Sequence, residues 1–231
     1  MERVALISGA NRGIGAAIAR RLDAAGWRLA LGVRQPEAMP PDLAPSATRT
    51  VHRYDAHDRL AGARWVEEAV ASHGRIDALV NNAGIATHVG LEDGDDAALD
   101  ELLDVNVKAP FRLIRAALPQ LKASGRGRVI NLASLSGKRV LGFNAGYQMS
   151  KHAVVALTHA VRRIGWPHGI RATALCPGFV DTDMVAGHTE LPADELIRPE
   201  DLARMVELLL DLPNSAAVAE LLVNGRYETM L

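Results

Sequence analysis

The sequence predicts an α/β fold, a parallel sheet covered by helices on both faces, and three observations lead to it. Short apolar runs that read as buried strands alternate along the chain with segments of helical spacing. A glycine-rich stretch, Ser8-Gly9-Ala10-Asn11-Arg12-Gly13-Ile14-Gly15, follows the first run and opens the first helical segment. Further polar motifs stand just after later runs. Parallel strands need crossover connections, and the right-handed rule limits how the helices lie. The expected architecture is therefore a single-domain, doubly wound Rossmann-type sheet of about seven strands, whose ligands bind beyond the carboxyl ends of the strands.

Taken in order, the expected strands are 4–7, 29–33, 50–54, 78–80, 129–133, 172–176 and 221–223. Ile14, Ala17, Ile18 and Leu22 fall on one face of a first helix that stops before Gly26. Leu202, Met205, Val206 and Leu209 repeat that pattern near the end. Two longer helices are expected over 99–121 and 145–163. The densest irregular stretch, 35–47, reads as a loop, and no linker divides the 231 residues, so one domain over 1–231 is expected.

A formal net charge of -1 leaves no concentrated basic face for a nucleic acid. The chain enters a strand at Arg3-Val4-Ala5-Leu6-Ile7 without an apolar leader and has no run of about eighteen apolar residues, so no membrane partner and a cytoplasmic location are expected. The single cysteine, Cys176, reads as a buried strand residue. The eight histidines lack metal-ligand spacing, and no metal site is expected.

Tyr147-Gln148-Met149-Ser150-Lys151 carries the chemistry. A tyrosine and a lysine four apart share one helical face, where an ammonium group can lower the pKa of a phenol and make it a proton donor near neutral pH. Ser134 stands thirteen residues earlier, at the end of an expected strand. The glycines permit a tight turn and close approach of a pyrophosphate to a helix amino end, and the run lacks the Lys-Ser/Thr of a nucleoside-triphosphate loop. In this order and context the motifs resemble the short-chain dehydrogenase/reductase family, in its short single-domain form.

The resemblance implies a nicotinamide cofactor held by Gly9, Asn11, Arg12, Gly13, Ile14 and Gly15. Ser8 replaces the family's usual threonine and keeps a hydroxyl. Asn81-Asn82-Ala83-Gly84 matches a second motif, with Asn82, Ala83 and Gly84 supporting the sheet and meeting the adenosine side. Asp55 corresponds to an acid that meets the adenine. Pro177, Gly178, Val180 and Thr182 match the turn beside the nicotinamide. The second strand ends Leu31-Gly32-Val33-Arg34, without the acid that would accept from free ribose hydroxyls, and Arg34 and Arg12 are suited to a 2′-phosphate. NADP(H) is therefore favoured, with NAD(H) as the alternative.

Hydride transfer to a carbonyl needs a proton source and donors at the developing oxyanion. By resemblance Tyr147 supplies the proton, Lys151 lowers its pKa and holds the ribose, Ser134 bonds the substrate oxygen, and Asn106 holds water in a proton relay. Ser136, Phe143, Phe179 and Met184 are substrate-side candidates beside Ser134 and Tyr147, with a contribution from around Thr87 and His88. The segment 183–198 is short for a substrate loop, and Val223-Asn224-Gly225-Arg226 departs from the family's ending.

The leading expectation is an NADP(H)-dependent reductase or dehydrogenase of a small carbonyl/alcohol pair, assembled as a homodimer or homotetramer. Two alternatives stay open: a cofactor-binding regulatory or assembly protein with little turnover, and an NAD-dependent alcohol or polyol dehydrogenase.

Overall fold

A computed structural model of the chain describes residues 2–186 and 189–227. Seven strands form one parallel sheet: β1 (Val4–Ser8), β2 (Arg28–Val33), β3 (Arg49–Arg53), β4 (Ala78–Asn81), β5 (Arg128–Leu132), β6 (Arg171–Pro177) and β7 (Glu220–Val223). Their spatial order is β3-β2-β1-β4-β5-β6-β7. Winding reverses between β1 and β4, which opens a crevice at the carboxyl ends of those two neighbours. The expected strands are all present, each with ends shifted by one residue or none.

The helices are α1 (Gly13–Ala24), α2 (Ala61–His73), α3 (Asp96–Leu103), α4 (Ala109–Ala123), α5 (Ala145–Gly165) and α6 (Pro199–Asp211). Side chains alternate across the pleat, so each strand feeds two cores. Ala5, Ile7, Leu29, Leu31 and Val80 pack with Ile18 and Leu22 of α1 and Val206 of α6. Val4, Leu6, Ala30, Leu79 and Val129 face Trp65 of α2, Leu113 of α4 and Val161 of α5.

The single helix expected over 99–121 is interrupted. A π turn, Asp104–Lys108, joins α3 to α4, closing with the Ala109 N–H on the Asp104 carbonyl. Pro110, in the first turn of α4, has no N–H for the Asn106 carbonyl, its α-helical partner position. Such insertions are frequent at functional sites.

Candidate active site

The motifs converge at the carboxyl ends of β1, β4, β5 and β6. Ser8, the last residue of β1, accepts the N–H groups of Asn82 and Ala83 on its hydroxyl, both at 3.0 Å. The Asn82 amide donates to the carbonyls of Ser8 (2.9 Å) and Gly9 (3.1 Å). The Asn82-Ala83-Gly84 segment thus braces the glycine turn, with the Asn82 amide directed at that turn. Gly15 is obligatory for the close approach, because a Cβ there would lie 2.5 Å from the Asn82 amide nitrogen and overlap the Gly9 carbonyl.

Helix α1 begins after Arg12 with no side-chain cap and no acidic residue in its first turn, leaving its N–H groups for an anion. Asn11, Gly13 and Ile14 are partly buried, and Ile14 also packs on the core. Arg34 is exposed at the end of β2. Arg12 is paired with Asp183 at 3.2 Å. Asp55, past the end of β3, accepts the His57 N–H at 3.0 Å on one oxygen, the behaviour of a turn-forming aspartate.

Ser134 follows β5 and starts a short 3-10 turn, Leu135–Gly137, its hydroxyl accepting the Ser136 N–H at 3.1 Å. It also donates to the Pro177 carbonyl at the end of β6 at 3.5 Å and stands close enough to the Tyr147 phenol to hold its pKa down. Tyr147 occupies the first turn of α5 because Asn144 caps that helix. The Asn144 side-chain oxygen accepts from the Tyr147 N–H (3.1 Å) and the Val89 N–H (3.0 Å), and its amide donates to the Thr87 carbonyl at 3.1 Å. One side chain therefore fixes both the tyrosine and the 87–89 segment.

Lys151 is buried, with its Nζ 5.5 Å from the Tyr147 ring centroid. That nitrogen donates to the Leu132 carbonyl at 2.9 Å, and burial pushes the lysine pKa down to about 8. The expected lowering of the phenol pKa is reversed here. Burial raises Tyr147, and only the neighbouring Ser134 hydroxyl opposes that rise. The ammonium is turned to the end of β5, so its favourable effect on a phenolate is not expressed in this arrangement.

Asn106 sits in the π turn, buried, and its side chain clamps Ile85. Its oxygen accepts the Ile85 N–H (2.9 Å) while its amide donates to the Ile85 carbonyl (2.9 Å) and the Ser150 hydroxyl (3.1 Å). Both amide donors are thereby engaged. Acceptor capacity for a water remains on one lone pair of the side-chain oxygen. Gly84 passes between Asn106 and Lys151, a Cβ there lying 3.2 Å from the Asn106 oxygen and 3.8 Å from the lysine nitrogen.

A buried polar chain, invisible in the motif reading, ties these elements together. Asn81 of β4 donates to Asn131 of β5, Asn131 to Thr158 of α5, and Thr158 to the Val154 carbonyl, each at 2.8 Å. An amide inside the apolar run Arg128–Leu132 is the signal that could have found it. Asn144, three residues before Tyr147 at a helix start, carried the signal of an N-cap.

Past β6, the Gly178 N–H donates to the Val223 carbonyl at 2.8 Å, Val180 is buried in a bridge to Ile197, and the Thr182 hydroxyl turns back to the Val180 carbonyl at 3.3 Å. Among the substrate candidates, Ser136 is partly buried while Phe143, Phe179 and Met184 are exposed, joined by Val140 and Leu141. His88 is exposed and paired with Asp93 at 2.9 Å. The expected 183–198 segment includes 187 and 188, which lie outside the described residues, and a 3-10 turn at Ala193–Glu195. Cys176 is fully buried in β6. Among the described residues, no group of three or more His, Cys, Asp or Glu could hold a metal, and no helix is long and apolar enough to cross a membrane.

Comparison with known proteins finds the short chain dehydrogenase family pattern over residues 3–192. Agropine synthesis reductase from Rhizobium rhizogenes is 42% identical over 217 residues, which cover 93% of this chain and 50% of that protein. The chain thus spans about half the length of that relative. Among solved structures, the alcohol dehydrogenase of the archaeon Thermococcus sibiricus complexed with 5-hydroxy-NADP superimposes with a TM-score of 0.87 at 29% identity, covering 99% of both chains. A point variant of actinorhodin polyketide ketoreductase with NADPH gives 0.86 at 29% identity, over 96% of this chain and 95% of that one.

Proposed function

The chain belongs to the short-chain dehydrogenase family, and from that premise we propose that it is an NADP(H)-dependent oxidoreductase acting on a carbonyl/alcohol pair of a small organic molecule. The observation that carries this reading is the convergence of Ser134, Tyr147 and Lys151 from two separate elements, the serine hydroxyl beside the phenol and the lysine Nζ 5.5 Å from its ring centroid.

The residues present fit the cofactor. Gly15 permits the close approach, the uncapped start of α1 offers N–H groups to a pyrophosphate, and Arg12 and Arg34 offer two guanidiniums to a 2′-phosphate with no acid at Val33 to oppose it. Two structural neighbours carry NADP-type ligands, in keeping with that preference. When bound, the cofactor supplies the hydride donor or acceptor. Ser134 holds the substrate oxygen, and Tyr147 gives that oxygen its proton in the reductive direction or removes it in the oxidative one. Lys151 serves both the ribose and the phenol once its ammonium leaves the Leu132 carbonyl. The Asn106 side-chain oxygen holds the water through which a proton returns to the site. Phe143, Phe179 and Met184 make the entrance apolar and favour a substrate with an apolar body.

We also assign self-association to the outer faces of α4 and α5, where Phe111, Met149 and Ile164 are exposed, with Trp166 exposed just past the end of α5. Light scattering is expected to give a dimer or tetramer mass, and a monomer across the concentration range would reject it.

A panel of aldehydes, ketones and alcohols tested with NADPH, NADH and their oxidised forms tests the enzymatic reading. Substrate-dependent NADPH oxidation is expected, and its absence across the panel would favour a binding protein.

A further inference from the structure

The chain from 181 to 196 leaves and re-enters the fold through a narrow neck. The Asp181 N–H donates to the Ile197 carbonyl and the Ile197 N–H to the Phe179 carbonyl, both at 2.9 Å. Beyond that neck a turn closes on Thr182, whose carbonyl accepts the N–H groups of Val185 (2.9 Å) and Ala186 (3.2 Å). This turn lies on the glycine loop. Gly13 has φ +52, and a Cβ there would stand 3.1 Å from the Thr182 methyl carbon. The polar tie across the contact is Arg12 Nη1 to Asp183 Oδ2 at 3.2 Å, both side chains largely exposed. The Arg12 side chain makes no other hydrogen bond or ion pair among the described residues.

The carboxylate of Asp183 therefore engages Nη1 of the guanidinium that is read above as a ligand of the 2′-phosphate. A phosphate monoester brings more charge and three acceptor oxygens, and the two anions cannot both keep a full claim on Arg12. We propose that Asp183 is a specificity-determining residue, an intramolecular competitor for Arg12 that the 2′-phosphorylated cofactor must displace and the unphosphorylated one need not. This inference rests on the reading of Arg12 as a 2′-phosphate ligand. It carries a second consequence: NADP(H) binding frees the 183–186 turn from the glycine loop, whereas NAD(H) leaves the two tied. The cofactor that the arginines favour is thus bound less tightly than the arginines alone would allow.

The magnitude follows from exposure. A solvated ion pair is weak and screened, so its removal should change affinity by about 1.5- to 5-fold and no more. The test is a set of fluorescence titrations with NADPH and NADH at about 0.15 M salt, where long-range charge effects are damped. Wild type is compared with Asp183→Asn, Arg12→Ala, the double variant, and Asp181→Asn, which makes the same charge change two residues away at an exposed position. Asp183→Asn is expected to tighten NADPH within that range, to leave NADH unchanged, and to lose its effect in the Arg12→Ala background. Asp181→Asn is expected to do neither.

No gain for NADPH, an equal gain for both cofactors, a gain that survives without Arg12, or the same gain from Asp181→Asn would each overturn the proposal. Arg12→Ala alone separates the two levels. Selective loss of NADPH affinity upholds the 2′-phosphate reading even if Asp183→Asn is silent, in which case only the competition fails. Equal loss for both cofactors removes the reading and the competition together.

Discussion

Lys151 donates to the carbonyl oxygen of Leu132 at 2.9 Å, so its ammonium is anchored to the last residue of β5 while Tyr147, one helical turn away, keeps a pKa raised by burial. Tyr147→Phe is expected to lower turnover by about 10²- to 10⁴-fold while leaving NADPH affinity near wild type, since it removes the proton donor and keeps the ring. Ser134→Ala should lower turnover by about 10²- to 10³-fold. Single-turnover rates and cofactor titrations on each variant check this, and near-normal turnover by Tyr147→Phe would remove the phenol from the mechanism.

Burial moves Lys151 from the ordinary 10.5 to about 8, which makes stability pH-dependent in a defined window. Between about pH 8 and 10.5 the unfolded chain still holds a proton that the folded chain has released, so the wild type gains stability as pH rises. The cost of burying the charged form is fully present below about pH 8. Lys151→Met has no such group. The melting temperature of the variant relative to wild type should therefore be highest below pH 8 and fall by several degrees towards pH 10.5. Thermal melts of the cofactor-free proteins from pH 7 to 10.5 measure this, and a constant difference would contradict it.

Asn144 joins the start of α5 to the 87–89 segment through three hydrogen bonds. Asn144→Ala removes a helix cap, with an expected loss of about 1 kcal/mol and about 2–4 °C in melting temperature. Because the same atoms position Tyr147, kcat should also fall at unchanged NADPH affinity. Asn144→Asp keeps both acceptor bonds and should recover most of the loss. A variant that melts lower with unaltered kcat would limit Asn144 to stability.

Arg34 directly follows β2, and no acid stands at Val33 to accept from a ribose hydroxyl. Arg34→Asp should weaken NADPH by at least about tenfold, the scale of a charge-assisted hydrogen bond, and weaken NADH less. Parallel titrations decide it. Equal effects on the two cofactors, or a wild type that binds NADH more tightly, would overturn the cofactor preference.

The sequence by itself determined the sheet, the order of its elements and the motif-bearing ends of its strands. Those features follow from short-range rules. Apolar runs such as Val4–Ser8 bury on both faces, the four-residue step from Tyr147 to Lys151 fixes a shared helical face, and glycines at 9, 13 and 15 permit a turn that few other residues allow. Only the tertiary structure decided where the polar groups of the site find partners. Winding reverses between β1 and β4, and that adjacency sets Asn82 against Ser8 and Gly9. The Asn81–Asn131–Thr158 chain depends on the register of β4 against β5 and on which face of α5 meets them. The Asn106 side chain is drawn to Ile85 and Ser150 because the π turn re-aims it, and Arg12 meets Asp183 across 171 residues of chain. Hydrogen-bond partners at such separations are set by strand neighbours and by loop paths, and local periodicity carries no record of either.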